Sequence, residues 1–176
     1  MILKLKGAMM ALLYRMRSGR SICFDAVPVF EKNAALNFKK GAARIGKNFT
    51  MKPNAYIAVV NGGTLTVGDG VSIARNSIVV CHHSITIGDR CAIAPNVVIY
   101  DHDHKFGPEG IRPGYNTAPV VIENDCWIGA GVTILRGTHI GEGCVIGAGS
   151  IVKGEIPPHS LVTSDRQLTI VPIEAR

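Results

Sequence analysis

The chain has 176 residues and a net charge of +6, with Val and Ile prominent among its apolar residues and aromatics at only 6%. That length suits one domain, the few aromatics suit a core of stacked aliphatics rather than one built on Phe and Trp, and 20 glycines with nine prolines demand many turns. Lys and Arg thin out through the middle instead of lining one element with interleaved aromatics, which excludes a nucleic-acid reader.

Residues 1–22 read as a helix. Ile2, Leu5, Met9, Leu12, Leu13 and Met16 fall near one face, while Lys4, Lys6, Arg15, Arg17 and Arg20 make the segment basic. Such a helix caps the open end of a repeat array, and its charge also suits peripheral contact with the inner face of a membrane. Arg15 breaks the apolar run and no small-residue cleavage site follows, so no secretory signal is expected. No stretch reaches the ~18 apolar residues of a membrane span.

From Ile45-Gly46, with Phe49, a period of six opens and runs over residues 45–157. It continues as Val67, Ile73, Val79, Ile85, then Ile87, Ile93, Ile99, and then Ile122, Ile128, Ile134, Ile140, Ile146, Val152. Gly often follows the aliphatic residue (Gly68, Gly88, Gly129, Gly141, Gly147), and the fifth position is compact (Val71, Ser77, Cys91, Val97, Cys126, Val132, Thr138, Cys144, Ser150). Six residues make one short flat face and a turn, so three units close a triangular coil. Coils then stack at the ~4.8 Å strand spacing. The aliphatic residue points inward, Gly leaves room beside it, and the small fifth residue fills the narrow interior. Three of the five cysteines share that fifth phase, and no Cys-x-x-Cys occurs; small buried thiols in a reducing, cytoplasmic setting are expected. Leu65 and Ile85 each add an aliphatic residue two positions ahead of a phase point, twenty residues apart, so one coil there is longer than 18 residues.

The larger break falls between Ile99 and Ile122. Asp101-His102-Asp103-His104 is the densest ionisable cluster in the chain, and strand alternation puts His102 and His104 on one side with Asp101 and Asp103 on the other. Imidazole accepts a proton from a substrate hydroxyl near neutral pH. Residues 105–119 then leave the repeat, and their three Pro and three Gly predict an extruded loop with neither strand nor helix. Residues 158–176 form a terminal cap.

The run Trp127-Ile128-Gly129-Ala130-Gly131-Val132, then Ile140-Gly141, then Val145-Ile146-Gly147-Ala148-Gly149-Ser150, resembles the hexapeptide-repeat acetyltransferases, in particular the maltose and galactoside O-acetyltransferases and those that decorate surface polysaccharides. The resemblance covers roughly residues 45–160. It implies an all-β fold, a left-handed parallel β-helix, assembled as a homotrimer with active sites between subunits. It implies transfer of acetyl from acetyl-CoA to a hydroxyl of a sugar or surface-polysaccharide precursor, in one ternary complex. By position, His104 is the general base, and Asn76, His102 and Asp103 line the acceptor site. Trp127, Ala130 and Ala148 follow the pantetheine arm, while Lys153 and Arg166 approach the nucleotide end. Departures from the family pattern lie at that end, where Lys153-Gly154 and Asp165-Arg166 replace its usual residues.

Competing readings remain at the level of sequence. An amino sugar or xenobiotic amine is an alternative acceptor. The hexapeptide-solenoid carbonic anhydrases hold metal through three histidines, and His82 or His83 with His102 or His104 falls on adjacent coils, though the ligand spacing does not match. No metal is therefore expected. A non-catalytic scaffold is the third.

Overall fold

A computed structural model describes residues 7–14 and 21–164. Three parallel sheets of seven, seven and six strands form the faces of a β-solenoid. Face A runs from Ile22–Phe24 to Glu155–Ile156, face B from Val29–Phe30 to Leu161–Val162, and face C from Ala35–Lys39 to Ile151–Val152. Each turn of chain visits A, B and C in that order.

The period of six sets the interior. Ile122, Ile128, Ile134, Ile140 and Ile146 are fully buried, and Val152 nearly so. Register stacks each on its copy one coil away: Ile93 beside Ile128 beside Ile146 on face B, and Ile99 beside Ile134 beside Val152 on face C. Each such side chain contributes roughly 1.5–3 kcal/mol by leaving water. Coil length varies as the displaced aliphatics require. Val67 pairs with Ile87, twenty residues on, whereas Ile122 pairs with Ile140, eighteen on.

The corner between faces A and B and that between B and C turn through a left-handed residue three positions after the inward aliphatic. Asn33, Asn54, Asn76 and Asn96 hold it at the B–C corner with φ between 58° and 60°, followed by Gly131 and Gly149 on later coils. Asn enters this conformation more readily than most residues, and here each amide bonds its copy on the next coil. The room that the Gly after each aliphatic leaves is taken by the next coil. A Cβ on Gly129 would lie 2.6 Å from the Ile146 carbonyl oxygen, and one on Gly141 2.6 Å from the Pro158 nitrogen. The next coil leaves no room for it.

The fifth-phase cysteines are structural. Cys91, Cys126 and Cys144 are buried, and their thiols donate to the carbonyls of Glu123 (3.0 Å), Gly141 (3.2 Å) and Pro157 (3.1 Å) on the neighbouring coil. Desolvation and the Asp101 charge push the buried Cys81 thiol up to about 12, which keeps it protonated and inert.

The sequence reading is corrected in three places. Coil stacking begins at Ile22, well before Ile45, because the first coils fill their interior with Phe30, Leu36, Phe49 and Met51 in place of Ile and Val. Phe24, Phe30 and Phe49 meet edge to face at 6.4 and 6.5 Å, closing that end. Residues 7–14 are helical, with Met10 and Tyr14 packed on this cluster and the Tyr14 hydroxyl accepting from the Leu36 N–H at 3.0 Å; the rest of the expected helix before residue 21 lies outside the described residues. At the other end, Leu161–Val162 still adds a strand to face B, so the expected cap 158–176 starts as solenoid. Third, residues 105–119 are no structureless loop. His102–Gly107 and Gly110–Thr117 pair as an antiparallel hairpin. Pro108 sits in its turn, and Pro113-Gly114 in the bulge where the register shifts between His104 and Lys105, so no proline has to supply a ladder N–H.

Candidate active site

The hairpin leaves the corner between faces C and A, where each coil passes from one sheet to the next. The residue just before it is anchored from within. Asp101 is fully buried, and its carboxylate accepts the backbone N–H groups of His82 (2.9 and 3.1 Å) and His83 (2.7 Å) on the preceding coil. The same carboxylate lies 3.1 Å from Nδ1 of His102. Two coils and the base of the hairpin are thus tied at one point.

Around that anchor the imidazoles gather. His82 and His102 stack with ring centroids 3.6 Å apart and planes 5° apart. Tyr115, returning on the second hairpin strand, meets both edge-on at 4.5 and 5.2 Å and touches His104 at 4.9 Å. Tyr100 closes the remaining edge of His102 at 5.5 Å. Burial lowers the pKa of His82; His102 and His104 lower it further, against an opposing pull from Asp101. His82 is therefore a neutral spacer in the cluster, accepting at Nδ1 from Asn61 at 3.2 Å. Tyr100, His102, Asp103 and His104 line an open pocket of about 370 Å³.

The expected alternation holds for the histidines but not for the aspartates, since Asp103 lines the same pocket as His102 and His104 while Asp101 is buried. His102 and His104 share the Tyr115 ring, while Asp101 turns inward and Asp103 pairs with Arg136 from the next coil. Asp103 is therefore occupied by a guanidinium, and the carboxylate that holds an imidazole is Asp101, acting on His102. His104 is exposed at the pocket rim. Among the described residues, no three His, Cys, Asp or Glu side chains converge as a ligand set for metal.

Other expected site residues lie elsewhere. Asn76 sits at the B–C corner in an amide ladder, donating to Asn96 (3.3 Å) and accepting from Asn54 (3.1 Å). Within one chain the structure does not bring it to the histidines. Trp127 is 57% exposed on face B, and Ala130 and Ala148 are exposed on successive coils at the B–C corner. Together with Gly131 and Gly149 they make a strip of small residues on the same side as an exposed indole. That shape fits a thin flexible arm such as pantetheine, and Trp127, Ala130 and Ala148 are the residues that would hold it. Lys153 is exposed at the C–A corner, on the histidine side, and Arg166 lies outside the described residues.

Sequence reading passed over Tyr115, Arg136 and the anchoring role of Asp101. His82 had a usable signal, since Val79 and Ile99 pair one coil apart and carry His82 beside His102. Tyr115 and Arg136 had none, because their positions follow from the hairpin register and the next coil.

The comparisons agree with the fold. Residues 119–154 match the model described as bacterial transferase hexapeptide (six repeats), and residues 64–101 match that of the hexapeptide repeat of succinyl-transferase. A putative lipopolysaccharide biosynthesis O-acetyl transferase of Escherichia coli K12 is 33% identical over 69% of this chain and 67% of its own length. The galactoside O-acetyltransferase of the same organism is 36% identical over 65% of this chain and 46% of its own. The first curated relatives are spanned over 39% to 67% of their length. A hexapeptide-repeat acetyltransferase of Vibrio cholerae, solved with acetyl coenzyme A, superposes with a TM-score of 0.60 at 29% identity, covering 70% of this chain and 65% of that one.

Proposed function

Because this chain belongs to the hexapeptide-repeat acetyltransferases, we propose that it moves acetyl from acetyl-CoA to a hydroxyl of a sugar or surface-polysaccharide precursor. The observation that carries the reading is the cluster at the hairpin base, where two imidazoles share one tyrosine ring at the rim of an open pocket. His104 takes the proton as the acceptor oxygen attacks the acetyl carbonyl carbon. The carbon–sulfur bond breaks, and the proton passes to the departing sulfur. A backbone N–H of the coil edge stabilises the carbonyl oxygen as it gains charge. Tyr100, His102, Asp103 and His104 line the pocket and none of them is a serine or cysteine, so direct transfer between two bound substrates is favoured over a covalent acyl-enzyme. The test is release of CoA thiol dependent on added saccharide. Release that ignores the saccharide, or that survives His104→Ala unchanged, overturns the reading. Product mass and acid–base stability separate an ester from the amide that an amine acceptor would give.

Within one chain the histidines occupy the C–A corner, whereas Trp127, Ala130 and Ala148 occupy the B–C side. A homotrimer that sets the B–C corner of one subunit against the C–A corner of the next completes the site. Mixed trimers of His104→Ala with Ala148→Phe subunits then regain activity that neither variant shows alone; absence of recovery in trimers shown to be mixed argues for a site within one chain.

The amino-terminal segment extends the proposal to location. Met9 and Leu12 are more than half exposed on the helix, and residues 1–20 carry five basic and no acidic side chains. Contact with the anionic cytoplasmic face of a membrane fits that chemistry and a lipid-linked acceptor. No helix among the described residues is long and apolar enough to cross a membrane. Flotation with anionic liposomes, with and without residues 1–20, tests the idea, and equal flotation removes it.

A further inference from the structure

The Asp101–His102 pair is built with more constraint than a loop histidine needs. Asp101 is fully buried with both oxygens engaged. His102 retains only 13% side-chain exposure, with one face covered by His82 and its edges met by Tyr100 and Tyr115. Its ring can neither flip nor swing without breaking the stack. A carboxylate only accepts, so Nδ1 carries the proton and donates it toward Asp101. Nε2, on the far side of the ring, is then left with a lone pair, and His102 is one of the four residues lining the pocket. His104 lines the same pocket two residues along the strand. The pocket thus holds two imidazoles, one at the rim and one locked as an acceptor.

We propose that Asp101 fixes His102 as a hydrogen-bond acceptor for a second hydroxyl of the acceptor molecule, so that the site takes a saccharide diol, one oxygen at His104 for transfer and its neighbour gripped by His102. The inference rests on the acetyl-transfer reading above and sharpens its substrate class. Asp101 is a positioning residue, because it touches no substrate and acts through the tautomer of His102. An isolated hydroxyl or amine makes no bond to His102, whose side chain is fixed with 13% exposure at the pocket wall, and the missing bond is what discriminates.

Asp101→Asn isolates the claim. The amide oxygen can take the place of Oδ2, which both His82 and His83 N–H groups reach (3.1 and 2.7 Å). The amide NH₂ then faces His102 Nδ1, forcing the proton to Nε2 and turning His102 from acceptor into donor. The experiment uses the full chain, acetyl-CoA, methyl glucopyranoside and methyl galactopyranoside, and their mono-deoxyfluoro derivatives, in which fluorine replaces a hydroxyl and cannot donate. Wild type is expected to favour the parent over the derivative fluorinated beside the acetylated position by about tenfold, the scale of one lost hydrogen bond. His102→Ala levels the two. Asp101→Asn shifts the preference toward the fluoro sugar, which a merely structural defect would not do. Nitrogen-15 spectra of the labelled histidines read the tautomer without any acceptor, and the CoA-induced rise in melting temperature checks that each variant is folded. A wild-type His102 with its proton on Nε2 overturns the proposal, as does a wild type that acetylates parent and fluoro sugars alike. A wild type that acetylates no sugar sinks the transfer reading itself and the diol with it.

Discussion

Two corners of the same solenoid carry opposite chemistry. At the C–A corner the chain departs into a hairpin and concentrates His82, His102, His104, Asp101 and Tyr115. At the B–C corner it never departs. Asn33, Asn54, Asn76 and Asn96 form one continuous amide ladder at positive φ, and Gly131 and Gly149 carry on the turn. The difference teaches where a repeat can afford function. The B–C turn must be left-handed on every coil, which admits Asn and Gly and little else, so its residues serve the fold and leave a bare strip. The C–A turn varies in length from coil to coil, so an insertion there disturbs no register. Val98-Ile99 still pairs with Thr133-Ile134 across the hairpin.

The largest expected effect breaks the C–A corner alone. His104→Ala loses acetyl transfer by ~10²–10⁴-fold, the usual worth of a positioned base. The melting temperature stays near wild type, because His104 is exposed, with its ring tilted against Tyr115. A large fall in stability instead would make His104 a structural residue. Next, Ala148→Phe fills the strip at the B–C corner. CoA at a hundredfold excess over its Kd stabilises a binding-competent protein by ~2.7 kcal/mol. That stabilisation should vanish in the variant while the ligand-free melting temperature holds, and a retained shift would move the cofactor away from Ala148.

The ladder gives a smaller effect of the opposite kind. Asn76→Ala removes two amide bonds and leaves at φ 59° a residue that enters this conformation less readily than Asn, costing ~1–2 kcal/mol in chemical denaturation. Asn76→Gly should recover part of that. Transfer activity of folded Asn76→Ala separates the ladder from the acceptor role: a specific rise in KM would restore Asn76 to the substrate site.

Face A supplies the smallest effect. His139 lies between Glu123 (2.9 Å) and Glu155 (2.7 Å), and chiefly the Glu123 hydrogen bond raises its pKa above 6.5. A group whose folded pKa is raised stabilises fully below its unfolded value and loses that contribution as pH rises through the folded one. The melting temperature of wild type relative to His139→Gln should therefore decline from about pH 6.5 upward. The decline is modest, since the side chains are exposed and screened, and it shrinks in salt. A difference constant with pH means that the bridge does not titrate in that range.

The sequence by itself determined the coil. An inward aliphatic every six residues is a local constraint repeated until only one stacking satisfies it, which is why Ile122 through Val152 and their compact fifth residues are buried as the period requires. The first coils escaped notice because aromatic and larger side chains did the same packing without the same letters. Only the tertiary structure decided the site. The Asp101 carboxylate gains its role from His82 and His83, one coil away, and Tyr115 gains its role from a bulge at Pro113-Gly114 that sets the return of the hairpin. Periodicity fixes which side chains point inward, because every coil imposes the same steric rule. Which outward side chains meet depends on coil length and hairpin register, and these are fixed only once the coils are stacked.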